Sequence, residues 1–530
     1  MSRPAAPEAH SRRYSVSEMR TDSGTTLRAV LIKDILRELH LGASVAEHDE
    51  ALEDYFIETE TFRALVADRR DTIAGDKGTG KTALYRILQK RYPILLKDVE
   101  VLAGFNPAGA PVFQRLAEGD PLQEGQYITI WKAYFLSLVG NWVLALNEGG
   151  FSHKMDELEA LLRKTGLRSA DDTASTVFSQ IVNLVKRLTN PKSAGITATI
   201  TAEGLPVIAP TVEFGEAPPT EELIRHDEAL RLLSDVLDEV GYSTWVVLDR
   251  LDEAFQGFPE AEVPVLRALL RTYLDLSEFP RLKLKLFVRK DLFRRIIEDG
   301  FVNLTHVNAR KVEIVWDEED LFDLLYRRFS ENTGFVDALG LPEDATKQDL
   351  FNAVFPPQVD QGSRKPTTWN WMLSRIRDGN GIAPPRNLID LVTKAQEAQL
   401  RKEERGATEY AAGGQRGVIE SDSLKRGLAA LSKERVEDTL LAEAGEYAPM
   451  IERFRDGRAE HNETSLAETL GIAVAAAHGA AKPLLEIGFL EATGETYKVP
   501  MLYRGGLAIT QGKAFAPDEP PTEEDDGDRF

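Results

Sequence analysis

Gly75-Asp76-Lys77-Gly78-Thr79-Gly80-Lys81-Thr82 is the stretch that decides the fold. Its spacing is G-x-x-x-x-G-K-T, and each residue type has a physical reason to be there. Gly75, Gly78 and Gly80 can adopt backbone angles closed to residues with a Cβ. Successive N–H groups can then turn inward and cradle phosphate oxygens. Lys81 is placed to reach the outer phosphates as a point charge, and Thr82 to offer its hydroxyl to Mg²⁺. From Ala83 to Leu88 there is no breaker, so a helix is expected whose N-terminus faces the anion. The run from Gly75 to Ala83 is therefore the expected phosphate cradle. Residues 71–74 just before it read as a short strand feeding the loop.

Working outward, Thr244-Trp245-Val246-Val247-Leu248 is a continuous apolar run with β-branched residues, the pattern of a buried parallel strand. It ends in Asp249-Arg250-Leu251-Asp252-Glu253. A carboxylate at the carboxyl edge of such a strand lies where Mg²⁺ and its waters are held, which makes Asp249 the metal candidate. Hydrolysis also needs a carboxylate to orient and deprotonate water. Asp252 and Glu253 are the candidates, with Glu253 preferred. Residues 282–288 and 311–316 read as further strands, and 94–102 as a strand region after the loop's helix. Arg289, at the end of the 282–288 strand, is the candidate sensor of a γ-phosphate. Arg294, Arg295 and Arg310 are candidates for an arginine finger offered to a neighbouring protomer. Strands alternating with helices predict an α/β fold, a parallel sheet covered by helices on both faces.

The chain has 530 residues, 42% hydrophobic and 28% charged, which fits a globular protein of several domains. There is no cysteine, so disulfides and thiolate zinc sites are excluded. The eight histidines show no metal-ligand spacing. The net charge of −22 disfavours non-specific nucleic-acid binding. The apolar run 128–146 is expected to be a buried helix rather than a membrane span, and a cytoplasmic location without membrane contact is expected. Residues 1–26 read as a disordered tail, and the chain from Leu27 to about Leu65 as helical. The core is expected at 27–102 and 219–317, interrupted by a mostly helical inserted subdomain at 103–218. That insert includes helices at 128–146 and 173–188 and a hairpin between 196 and 214; a helix from Thr220 to Val240 follows it. A helical lid is expected at 318–441, a winged-helix domain at 442–512 and an acidic disordered tail at 513–530. The winged-helix reading rests on helices at 447–457, 465–471 and 473–488, followed by a hairpin turning at Thr493-Gly494-Glu495. Its third helix offers only His478 and Lys482 to a groove, so protein packing is favoured over DNA.

Assembled in order, Gly75–Thr82, the acidic strand end at 248–253, the strand end at 286–291 and the stretch Pro384-Pro385-Arg386-Asn387-Leu388-Ile389-Asp390-Leu391 resemble the bacterial P-loop ATPases of the STAND and initiator-type AAA+ group, which includes the origin-recognition-like ATPases. The resemblance spans roughly 55–510 and leaves 103–218 unmatched. It implies ATP and Mg²⁺ as ligands, a lidded ATPase switch as the activity, and Arg386 as the lid arginine that reaches the γ-phosphate. It implies a homo-oligomer or a partner effector protein, and a role in defence against phage or mobile elements. The segment at 55–62 stands where such ATPases rest the adenine. This chain departs from the group at Arg250, where a Glu commonly follows the strand's Asp. Two alternatives stay open: a DNA-acting initiator, loader or transposition regulator, and a nucleotide-binding scaffold with little turnover.

Overall fold

A computed structural model of the chain describes residues 17–20, 26–104, 122–146, 152–165, 167–168, 198–200, 206–208, 226–251, 259–298, 300–411 and 416–510. The expected acidic tail and the helix expected at 173–188 lie outside the described residues. The chain forms two compact units: Glu58–Val315, and Trp316–Phe530 together with the N-terminal segment as far as Ile57. Each has its own hydrophobic core.

The N-terminal segment differs from its expectation. Strands β1 (Ser17–Arg20) and β2 (Thr26–Leu31) pair antiparallel, so the stretch read as a disordered tail contains a strand. Ala29 to Leu31, expected as helix, belong to β2; the helix starts only at Ile32. The reason is non-local. Glu409 and Tyr410 pair with Leu31 and Val30, and such a partner overrides local helical patterning.

In the unit Glu58–Val315, β3 (Thr72–Gly75) runs into the glycine loop, and α1 (Lys81–Leu95) follows. Next come β4 (Val99–Ala103), α2 (Glu124–Leu146), a hairpin of β5 (Ala198–Ile200) and β6 (Pro206–Ile208), and α3 (His226–Val240). Then follow β7 (Ser243–Leu248), α4 (Pro259–Leu276), β8 (Leu282–Arg289), α5 (Lys290–Ile297) and β9 (Lys311–Glu313). Five strands form one parallel sheet in the order β4-β7-β8-β3-β9. This is the α/β architecture expected from the sequence. Chain connections leave β3 toward one side of the sheet and return to β9 on the other. Such a reversal makes the crevice at the strands' carboxyl ends the natural ligand site.

The segment 103–218 was expected to be a separate insert, but its described helix α2 belongs to the core. Trp131, Tyr134 and Phe135 are fully buried with residues of α3, α4 and β7. Trp131 Nε1 donates to the Val265 carbonyl at 3.0 Å. Among the described helices α2 is the one long and apolar enough to cross a membrane, and 61% of its apolar window is buried in this unit.

A buried ionic network ties the start of β3 and the residue before β9 to the middle of β8. Lys285, in the middle of β8, has no exposed surface. Its ammonium donates to Asp68 Oδ1 and Asp71 Oδ1, both at 2.7 Å, and to the Arg70 carbonyl at 3.1 Å. It also lies 4.1 Å from the centre of the Trp245 ring. Arg310 pairs with Asp71 and Asp68, and the Tyr273 hydroxyl donates to Asp71 Oδ2 at 2.8 Å. Burial by itself would raise the Asp71 carboxyl, but the Arg310 hydrogen bond and the Lys285 charge outweigh it and hold it below its ordinary value. Against the same effect of burial, Lys285 and Lys283 hold Asp68 down.

The remaining chain is mostly helical, as expected. It includes α6 (Pro385–Arg405) packed along α7 (Ser421–Glu434), and then α8 (Glu463–Leu470) and α9 (Val474–Glu486). A three-stranded sheet in the order β10 (Glu460–His461), β12 (Thr496–Lys498), β11 (Glu491–Thr493) completes a helix–helix–wing arrangement, and Gly494 turns the wing with φ 60°. The lid and the winged helix were expected as separate domains, yet one continuous core holds Leu388, Leu428 and Val436 with Phe454, Leu484 and Phe489. The contact is close at backbone level. A Cβ on Gly379 would lie 2.2 Å from the Leu490 carbonyl, and Gly506 N donates to Ser432 Oγ at 2.8 Å.

Lys285→Met leaves Asp68 and Asp71 short of a buried partner, so we expect it to cost about 3–5 kcal/mol in urea unfolding. A loss below about 0.5 kcal/mol, the range of ordinary surface changes, would show the network to be dispensable. The lowered carboxyls set the pH dependence. Their stabilisation is complete above the unfolded aspartate value of about 3.9 and is lost as pH falls through the lower native values. The unfolding midpoint of the parent chain should therefore fall steeply on acidification below about pH 4.

Candidate functional site

The carboxyl ends of β3, β7 and β8 bring most of the expected site residues into one place. All four residues of β3 are buried, which fixes the point where the loop begins. Gly75 leaves no room for a side chain: a Cβ would stand 2.6 Å from Thr79 Oγ1. Gly78 and Gly80 take φ of 77° and 98°, the left-handed region that turns the backbone N–H groups of the loop inward. Gly80 is the N-cap of α1, and Leu84 N donates to its carbonyl at 3.0 Å. Lys81, Thr82 and Ala83 thus form the first turn, where helix geometry leaves N–H groups without an intrahelical acceptor.

The loop is braced from within. Thr79 is buried, and its hydroxyl donates to the Asp76 carbonyl at 2.8 Å. Lys81 Nζ donates to the Gly75 and Asp76 carbonyls at 2.8 and 2.9 Å, which holds the ammonium across the mouth of the loop. Lys77 is exposed at its tip.

Asp249 follows the last residue of β7 and is 5% exposed. One strand, β8, separates β7 from β3. Arg250 then takes φ 57°, a left-handed conformation that costs a non-glycine residue about 1 kcal/mol or more. Asp249 also acts on α1: burial first, and then its negative charge, push the Tyr85 hydroxyl up to about 12. Tyr85 packs edge-on against Phe287 of β8, with ring centres 6.0 Å apart. Asp252 and Glu253 lie outside the described residues.

Arg289 stands level with Gly75 in the β3–β8 register, as a sensor position requires. Its guanidinium, however, makes a two-point pair with Asp291, with Nε–Oδ1 and Nη2–Oδ2 both 3.0 Å. The residue that touches the loop is its neighbour. Lys290 Nζ lies 3.3 Å from Asp76 Oδ2 and 3.0 Å from Glu313 Oε2, bridging the loop to β9. Burial opposes the charge on Lys290, but hydrogen bonds and charge from Glu313 and Asp76 prevail and raise its pKa. Sequence reasoning passed over it. The available signal was its place after a strand, opposite an acid in the loop. Two of the expected arginine fingers have structural partners: Arg295 pairs with Glu262 at 2.7 Å, and Arg310 belongs to the Asp68–Asp71 network.

Arg386 belongs to the other unit, as the second residue of α6. It is mostly buried, and among the described residues its Nε has no hydrogen-bond partner. Burial, then the neighbouring Arg435, lower its pKa; Asp390, Glu47 and Glu434 oppose this. Asp390 is itself paired with Arg435. Tyr55, in the segment expected to rest an adenine, is buried in this same unit. Its hydroxyl donates to Asp49, and Arg328 lies 4.1 Å from its ring centre and 3.0 Å from Asp49 Oδ2.

No family model matches the chain, and neither does any curated protein sequence. Among solved structures it is similar to the ORC2 protein of Aeropyrum pernix. With the ADPNP–ADP complexes of that protein the identity is 16% and the TM-score 0.36, over 86% of this chain and 95% of that one. With its ADP form the values are 14% and 0.30, over 88% and 93%.

Gly80→Ala puts a Cβ on a residue at φ 98°, at a cost of about 1–2 kcal/mol to the loop. With ATP as the ligand expected from the sequence, calorimetry should show it bound about tenfold more weakly, with an unchanged circular dichroism spectrum. Unaltered affinity would show that the left-handed turn is not needed.

Proposed function

We propose that the chain is an ATP-binding and ATP-hydrolysing switch of the STAND/AAA+ kind. The observation that carries this is the glycine loop of two left-handed turns that opens α1, with a buried Asp249 at the same sheet edge. In this reading the N–H groups of Gly78 to Ala83 bind the phosphates and Lys81 leaves its loop carbonyls to meet the outer ones. Thr82 and Asp249 would hold Mg²⁺, which when bound neutralises charge on the transferred phosphoryl group. Glu253, with Asp252 as the alternative, orients the attacking water and accepts its proton. Lys290 keeps Asp76 neutralised so that the loop does not repel the anion. Arg386 is assigned to sensing the γ-phosphate, because a mostly buried guanidinium beside Arg435 is stabilised by an added anion.

No nuclease, protease or other effector motif stands in the sequence, so the output passes to a partner protein or to assembly. The exposed surface around α9 favours protein over DNA. It presents Ile472 and Val474 with Lys482 as its cation, where groove reading needs several donors.

Three substitutions separate the roles. Lys81→Ala should abolish ATP binding. Glu253→Gln should retain binding and slow turnover at least a hundredfold, the usual worth of a general base. Arg386→Ala should bind ATP and ADP alike but lose the difference in protease sensitivity between the two bound forms. ATP affinity unaffected by Lys81→Ala would end the proposal, and turnover unaffected by Glu253→Gln would leave a binding scaffold.

A further inference from the structure

Helix α6 starts near Arg386 and ends in a second group of cations. Arg401, Lys402 and Arg405, with Ala398 of the same helix and Asp422 and Arg426 of α7, line a cavity of about 300 Å³. Four of these six residues are cations, in a chain whose net charge is −22. Arg426 Nε is 3.0 Å from Asp422 Oδ2, and Lys402 pairs with Glu420, which also takes Arg416. Arg401 and Arg405 make no ion pair among the described residues.

Cations in a last helical turn offset the helix dipole, and this accounts for Lys402 and Arg405. It does not account for Arg426, which lies in the second turn of α7, toward the end where the dipole favours an acid. Nor does it account for placing Arg401 and Arg405 one turn apart, where like charges repel. Both guanidiniums stay charged at any physiological pH and offer planar pairs of donors that match phosphate oxygens. The cavity is at the small end of ligand sites, which run from about 300 to 1,000 Å³. We propose that it is a second anion site, distinct from the loop at Gly75–Thr82, for a small ligand carrying two or more phosphate groups.

The full chain, saturated with ADP to fill the loop, would be titrated with tripolyphosphate by calorimetry. The expected result is one site per chain. Its affinity should fall at least tenfold in Arg401→Glu/Arg405→Glu and again in Arg426→Ala, with ADP affinity and melting temperature unchanged. The site should survive in Lys81→Ala, which separates it from the proposed ATP site. The proposal is overturned if ADP-saturated protein binds no tripolyphosphate, or if the charge-reversed variant binds it like the parent. It is also overturned if oligothymidylates bind at these arginines with affinity that climbs with length, which would mark a nucleic-acid surface.

Discussion

The carboxylate of Asp71 is the group on which the sheet depends. It stands one residue before β3 and is held by Lys285 of β8, by Arg310 just before β9 and by Tyr273 of α4. A parallel strand that slips by one residue turns every side chain to the wrong face. The network opposes this where β3 and β9 begin beside the middle of β8. Their carboxyl ends then emerge in a fixed relation, with Gly75 level with Arg289 and Asp249 one strand further on. Burying so much charge is costly unless every partner is present, so the geometry of the loop is tied to residues at the opposite end of the same strands.

At the carboxyl ends the charges are arranged around backbone rather than around one another. Lys81 rests on carbonyls of its own loop, and Lys290 compensates Asp76. The other unit joins the α6–α7 helices and the helix–helix–wing arrangement in one core, with close backbone contacts at Gly379 and Gly506. A change at the start of α6, where Arg386 lies beside Arg435, acts on a body that includes the wing.

Local chemistry made the glycine loop, its helix, the apolar strand before Asp249 and the wing turn at Gly494 legible from sequence. In each, a few adjacent residues carry the whole physical reason: positive φ, an uninterrupted helix, burial on both faces. Sequence alone also established the parallel α/β class, because strands and helices alternate along the chain. Tertiary structure decided the rest. β2 is a strand because Glu409 and Tyr410 pair with it across the chain. α2 is part of the core because α3, α4 and β7 cover it. Lys290 rather than Arg289 meets the loop because Asp291 captures the guanidinium while Asp76 and Glu313 draw in the ammonium. These outcomes turn on partners far away in sequence or on competition between adjacent charges, and neither leaves a periodic or compositional trace in one chain.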